Sequence, residues 1–242
     1  MLRRIDQTGE PIDDLVGMVM DEPRTTDRGP WVMLNFVSSI DGATRVAGKS
    51  TPLNDADDKA LFAALRAVPD IILVGAATVS AEDYGPVRLD ERRRERRVAA
   101  GKTPAPILAI VSGSLSIDPE ARVFSDSEYR PMIISGPNAN PSKLAMLGDS
   151  ADVVFLEEVT APAILERLGA AAVILCEGGP QLAGQFVGRG LVDEMNLTIS
   201  PKLVGGDAPR LAHGLASDPP SEMALDRVLM GERSLFLRYL RA

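Results

Sequence analysis

The chain has 242 residues, 26 Lys and Arg against 34 Asp and Glu for a net charge of −8, and 45% hydrophobic residues. That charge argues against nucleic acid as the main partner, no apolar run reaches the roughly 18 residues of a membrane span, and the charged N-terminus lacks a signal-peptide core. One cysteine and one histidine exclude an internal disulfide and most zinc constellations, so the expectation is a cytoplasmic protein that acts on a small molecule and binds no metal.

Residues 1–29 are acidic and punctuated by Pro11 and Pro23; they read as an arm packed on a surface ahead of a single domain over 30–242. Residues 31–37 are apolar except for Asn35, the pattern of a central strand covered on both faces. Asn54 is placed to cap a helix over 55–67, with Leu61, Leu65 and Val68 on one stripe. Residues 71–74 predict a second buried strand, and Gly75-Ala76-Ala77-Thr78-Val79 turns directly from it into a short helix. The segment 88–103 breaks the rhythm with Arg92, Arg93, Arg94, Arg96 and Arg97; it reads first as a solvated surface helix and second as a loop near a phosphate-bearing substrate. Strands follow at 107–111, 131–135, 151–156 and 172–176, with helices at 140–147 and 161–168. Beyond Glu177-Gly178-Gly179-Pro180 come a helix over 181–188 and strands at 194–203, 221–230 and 234–240, the last two joined by the turn Met230-Gly231-Glu232-Arg233. The alternation predicts an α/β fold, a three-layer α/β/α sandwich with a mixed, mostly parallel sheet that ends in antiparallel strands.

In an open sheet the carboxyl ends of the strands share one crevice. Here those ends carry Ser38-Ser39-Ile40-Asp41-Gly42, Gly75 to Thr78, Ser112-Gly113-Ser114 and Glu177-Gly178-Gly179. Small residues keep backbone N–H groups accessible, and two glycines ahead of a helix N-terminus let a phosphate come close. Glu177 reads either as a rim carboxylate or as a helix-start residue, and Asp41 by default as a turn former. Cys176 reads as a buried small hydrophobe and His213 as structural. There is no G-x-S-x-G elbow, no phosphate-binding G-x-x-x-x-G-K-[ST] loop and no G-x-G-x-x-G after the first strand. A phosphate-friendly crevice with carboxylates and no nucleophile fits a nicotinamide reductase, because the cofactor supplies the hydride and the protein holds the reactants together.

The same motifs, with Glu82 after the second tip, then Leu191-Val192-Asp193-Glu194 and Pro201-Lys202-Leu203-Val204-Gly205-Gly206, occur in order. Over residues 30–241 they resemble the C-terminal reductase domain of the bifunctional deaminase–reductase of bacterial riboflavin biosynthesis. The resemblance implies a dihydrofolate-reductase-like fold, NADPH as cofactor and reduction of the ribosyl group of 5-amino-6-ribosylaminouracil 5′-phosphate to ribityl. It also implies a homodimer, for which the C-terminal strands offer Leu235, Phe236, Leu237 and Tyr239. By position it implies cofactor contacts at Val37, Pro52, Thr78, Glu82, Ser112 and Gly113, and along Gly178, Gly179, Pro180, Gln181, Leu182, Ala183, Gly184 and Gln185. Substrate contacts fall on Ser50, Arg66, Arg88 and Glu177, with Arg66 and Arg88 suited to a bidentate clamp on the 5′-phosphate. Glu82 and Asp41 are the candidate proton donors, a role a carboxyl fills only if burial raises its pKa, and water is the alternative. No deaminase half is present, Glu82 stands where the family usually has Asp, and Pro52 stands where it has Trp or a similar residue. Two rival readings are a reductase of dihydrofolate or another pterin, for which Asp55, Asp57 and Asp58 lie near the start of the appropriate helix, and a non-catalytic NADPH-binding protein.

Overall fold

Strand β2 (Trp31–Ser39) is where the sheet is built from, because its side chains are buried on both faces: Met33 on one, Val32 and Leu34 on the other. In this computed structural model residues 2–4, 10–125 and 127–242 are described; residues 1 and 5–9 of the predicted arm, and residue 126, lie outside them. Parallel to β2 on one side runs β7 (Val173–Gly178), followed by β3 (Ile71–Gly75), β4 (Ile107–Val111), β5 (Met132–Ser135) and β6 (Asp152–Phe155). On the other side β8 (Glu194–Ser200) is also parallel to β2, and then β10 (Leu235–Arg241), β9 (Met223–Met230) and the short β1 (Arg3–Arg4) follow antiparallel. The mixed sheet ending in antiparallel strands is the predicted one.

Helices cover both faces. On one, α1 (Leu15–Met20), α2 (Ala56–Leu65), α3 (Ala76–Ala81) and α5 (Pro141–Leu147) bury Val19, Leu61, Leu65, Val79 and Leu147 against Met33, Ile72 and Ile110. On the other, α6 (Ala161–Arg167) and α7 (Pro180–Val187) bury Ile164, Leu182 and Phe186 against Leu34, Leu73 and Cys176. Asp55, rather than the predicted Asn54, caps α2: its carboxylate accepts from the Asp58 N–H at 2.8 Å. Phe236, offered above for a dimer face, is instead part of the core.

The segment ahead of β2 is tied into the sheet as well as laid on it. Val16 and Val19 of α1 join the core beside α2. Arg24 then reaches Glu194, donating Nε to Oε2 at 2.8 Å and Nη2 to Oε1 at 3.1 Å. Glu194 also accepts from Arg238 Nη2, Trp31 Nε1 and Asn196 Nδ2 at 3.0, 3.2 and 2.9 Å. These partners hold its fully buried carboxyl down at a pKa of about 2 against the cost of burial.

The arginine-rich segment is a helix, α4 (Glu91–Ala99), capped by Asp90. Arg92 and Arg96 pair with Asp14, Arg93 with Asp90 and Arg94 with Glu128. Arg97 departs from the solvated reading. It is fully buried and donates to the carbonyls of Ala67, Pro69 and Thr103 at 3.0, 2.6 and 2.8 Å, so it ties the end of α2 to the loop after α4.

Candidate active site

The strand order doubles back at β7, which returns between β2 and β3 after β3 to β6 have run outward. Crevices at the carboxyl ends of strands form at such a switch point. A cavity of about 340 Å³ lies there, with Asn35, Phe36 and Val37 of β2, Thr78 of α3 and Glu177, Gly179 and Pro180 after β7 among its lining. Helix α2 and its C-cap contribute Asp58, Phe62 and Arg66, spaced four residues apart and therefore on one face. A larger, more apolar cavity of about 600 Å³, between Leu34, Val187, Met195 and the 210–217 loop, contains none of the predicted site residues.

Two glycines shape the cofactor side. Gly178 has φ +104°, and a Cβ there would lie 3.1 Å from the Phe36 ring; a Cβ on Gly179 would lie 2.7 Å from Thr78 Oγ1. Gly179 starts α7 without a side-chain cap, and Pro180 has no N–H to give, so the next N–H groups have no side-chain acceptor from the cap residue. Thr78 Oγ1 is buried and lacks a hydrogen-bond partner. An unpartnered hydroxyl beside an uncapped helix start fits the pyrophosphate and sugar of a dinucleotide.

At the other wall Arg66 donates Nε to Glu177 Oε1 at 2.8 Å and Nη2 to Oε2 at 2.6 Å. Tyr84 Oη donates to Glu177 Oε2 and accepts from Arg66 Nη2. The guanidinium also sits over the Phe62 ring, 4.2 Å from its centroid. Burial and the Glu177 charge push the Tyr84 hydroxyl well above its usual pKa, so it stays protonated. Arg66 and Glu177 are therefore one unit, and the guanidinium edge predicted to clamp a phosphate is engaged by Glu177. Arg88 does not line the cavity. Arg45 does, and with Tyr84 it is a lining residue that the sequence reading missed; a lone arginine or tyrosine in a loop carries no periodic signal.

The remaining predicted residues divide clearly. Val37, Ser50, Thr78, Glu82, Gly179 and Pro180 line the cavity, and Glu82 accepts from the Ser50 N–H at 2.9 Å. Pro52 is exposed and does not line the cavity, and its carbonyl accepts from Lys202 Nζ. Ser112 and Gly113 sit farther along the strand ends, where Gly113 accepts from the Gly136 N–H at 2.9 Å. Within α7, Leu182 and Ala183 are buried in the protein, Gly184 packs against the His213 backbone, and Gln185 Oε1 accepts from the Ala161 N–H at 3.2 Å, while Gln181 is exposed. Leu182, Ala183, Gly184 and Gln185 point into protein because a helix turns away from its own first residues.

Asp41 is not a proton donor. It is exposed, outside the cavity lining, and accepts from Ser39 Oγ at 2.5 Å and from the N–H groups of Gly205 and Val204 at 2.6 and 3.1 Å. Those donors bring its pKa down to about 2 and make it the clasp between two loops. Of the three acidic residues at the start of α2, Asp55 is the cap and Asp57 accepts from the Glu232 N–H at 2.8 Å; Asp58 alone lines the cavity. Burial and the nearby Asp55 raise the pKa of Asp58, and a hydrogen bond from the Thr198 hydroxyl opposes them. Cys176 is buried with its thiol pushed up to about 12, which makes it inert. No cluster of metal-ligating side chains, and no helix long and apolar enough to cross a membrane, occurs among the described residues.

The family model of the RibD C-terminal domain matches residues 30–229. The 2,5-diamino-6-ribosylamino-4(3H)-pyrimidinone 5′-phosphate reductase of Archaeoglobus fulgidus is 31% identical over 191 residues, covering 76% of this chain and 87% of the relative. The reductase of the same name from Methanothermobacter thermautotrophicus is 32% identical over 194 residues, covering 78% and 86%. A solved pyrimidine reductase-like protein from Corynebacterium diphtheriae has a TM-score of 0.82 at 28% identity and covers 94% of this chain and 98% of its own. The match runs from the strand that begins the sheet to within β9 and includes every element that lines the crevice; the chain belongs to the RibD C-terminal domain family.

Proposed function

We propose that the protein is an NADPH-dependent reductase of riboflavin biosynthesis that converts the ribosyl group of a 5-amino-6-ribosylaminopyrimidine 5′-phosphate to ribityl. One observation carries the reading: the uncapped, glycine-lined start of α7 with the unpartnered Thr78 hydroxyl shares a crevice with the fixed Arg66–Glu177–Tyr84 cluster. The names of the two archaeal relatives supply the substrate class. When bound, the nicotinamide would supply the hydride for C1′ of the open-chain imine, and the imine nitrogen would take up a proton.

The protein groups have binding and orienting parts. Thr78 and the helix start receive the dinucleotide. Phe62 offers its ring face to the pyrimidine, Arg45 and the outer edge of Arg66 supply positive charge for the phosphate, and Glu177 accepts from sugar hydroxyls. Glu82 fixes the Ser50 turn that closes one side. With Asp41 outside the crevice, Glu82, which lines it, and water are left as the proton sources. Exposed Met230 and Leu235, paired across β9 and β10, give a homodimer an apolar contact. The test follows NADPH absorbance with the ribosylaminopyrimidine phosphate and, in parallel, with dihydrofolate. Oxidation with the pyrimidine alone is expected; oxidation with dihydrofolate alone overturns the reading.

A further inference from the structure

Residues 201–222 carry the chain from β8 to β9 without a helix or strand, a length that a plain connection does not need. Their path accounts for it. The Ile40 N–H donates to the Lys202 carbonyl at 3.0 Å, and the Val204 and Gly205 N–H groups donate to Asp41, so the segment first holds the loop after β2. Farther on, Thr44 Oγ1 donates to the Pro209 carbonyl at 2.9 Å. The segment then crosses to α7, where the His213 N–H donates to the Pro180 carbonyl at 2.9 Å. Gly184 and Gly188, about one turn apart on α7, seat it there. A Cβ on Gly184 would collide with the His213 carbonyl oxygen, and one on Gly188 would lie 2.5 Å from that of Leu215. Thr44 and Pro180 both line the crevice, whereas no residue of 201–222 does. Arg45, next to Thr44, places Nη2 3.5 Å from where a Cβ on Gly179 would lie, so the two walls held by the segment face each other. Beneath residues 210–217 is the apolar cavity of about 600 Å³, which leaves the segment dependent on these ties.

We propose that residues 204–213 are a strap that sets the width of the cofactor gap, and that Thr44 and Gly184 are positioning residues that act through it. The inference rests on the reading of the α7 start as the dinucleotide site and adds what holds that site against the opposite wall. The β2–β7 ladder ends at Leu34 and Cys176. Beyond those residues the two strands diverge into the crevice, and no backbone ladder fixes the distance between the loop after β2 and the start of α7. The strap supplies that missing connection from outside. Its first ties, at Asp41 and Thr44, hold one wall, and its last, at Pro180 and Gly184, holds the other. A hydrogen bond to a bound anion weakens steeply with distance and angle. Displacement of a binding group by about 1 Å can cost up to roughly 100-fold, so a segment that never meets the cofactor controls how well it is held.

The test measures NADPH affinity by calorimetry, and amide exchange by NMR in the free full-length chain. Thr44→Val removes the tie to Pro209 and keeps the side chain's shape; Gly184→Ala puts a methyl where the His213 carbonyl sits. Each is expected to weaken NADPH binding by roughly 10-fold, and the double variant by no more than the worse single one, because the strap is released once. Thr44→Ser, which keeps the hydroxyl, is expected to bind as wild type does. Arg97→Met loosens the fold elsewhere and is expected to leave the affinity unchanged. In the free protein, Gly184→Ala is expected to speed exchange of the Val204 and Gly205 amides at the strap's other end by roughly 10-fold, and Thr44→Val that of the His213 amide. Exchange that rises only beside the substituted residue overturns the proposal. So do multiplicative affinity losses, unchanged affinity in both single variants, or an equal loss in Arg97→Met. Should Gly184→Ala fail to fold, Thr44→Val and the His213 amide carry the same decision. A wild-type chain that does not bind NADPH sinks the cofactor reading, and the exchange measurements then decide the strap alone.

Discussion

Arg66 and Glu177 stand 111 residues apart in the chain and meet fork to fork, with Nε and Nη2 of one on the two carboxylate oxygens of the other at 2.8 and 2.6 Å. Helix α2 brings the arginine and the tip of β7 brings the glutamate, so a pair that no local motif contains becomes the wall of the crevice. Removing either leaves a poorly solvated charge without its counter-ion.

A double-mutant cycle on kcat/KM should show that the two act as one. Arg66→Ala and Glu177→Ala are each expected to lower it by on the order of 100-fold, with a coupling of about 1–3 kcal/mol in the double variant. Arg66→Lys keeps the charge but loses the fork and should recover only part. Strictly multiplicative losses would show that each residue meets the substrate independently.

Thr78→Val is expected to move stability and cofactor affinity in opposite directions. The hydroxyl is buried and unpartnered in the free protein, so an isosteric methyl should raise stability by up to about 1 kcal/mol. Loss of its hydrogen bond to the dinucleotide should weaken NADPH binding by about 10-fold. Thermal melts with and without NADPH measure both; unchanged affinity would remove Thr78 from the cofactor site.

Within the arginine run of α4 the effects should split by burial rather than by sequence. Arg97→Met leaves three carbonyl acceptors without their donor and should cost about 3 kcal/mol in urea unfolding. Arg92→Ala, on the exposed side, should stay within about 0.5 kcal/mol. Equal costs would contradict the placement of Arg97.

Glu194→Gln tests how the segment ahead of β2 is held. Arg24 and Arg238 would lose the fully buried one of their two shared counter-ions and keep Glu22, at a cost of about 3 kcal/mol. The folded pKa of about 2 lies below the ordinary 4.5, so the stabilisation is complete above about pH 4.5 and fades as pH falls toward 2. The variant should lack that part of the acid-unfolding slope, measured by denaturant midpoints across the same range.

Much of the fold was legible because its signals are local. Strands such as Ile107–Val111 lie under helices on both faces and show as uninterrupted apolar runs, and the turn Met230-Gly231-Glu232-Arg233 announces the hairpin it makes. Helix α1 escaped because six residues are too few for periodicity to register. The site was legible as a set of tips but not as a set of partners. Asp55, Asp57 and Asp58 look alike in sequence, and only the packing of α2 against β8 and the β9–β10 turn makes one a cap, one a turn acceptor and one a cavity wall. Arg97 likewise lies within a run of identical residues, and burial alone distinguishes it.

The place of β2 in the sheet has a consequence for how the molecule comes off the ribosome. Its two neighbours, β7 and β8, end at Gly178 and Ser200, while β2 itself ends at Ser39. At about 5–20 residues per second, some 10–30 s separate synthesis of the apolar centre strand from synthesis of the strands that pair with it. The outer strands β3 to β6 can associate meanwhile, because each is followed by its own neighbour. The crevice thus waits for β7 to enter between two strands made long before, and until β7 and β8 emerge Trp31–Ser39 is a hydrophobic strand without either of its sheet neighbours, which the cell must keep from other nascent chains.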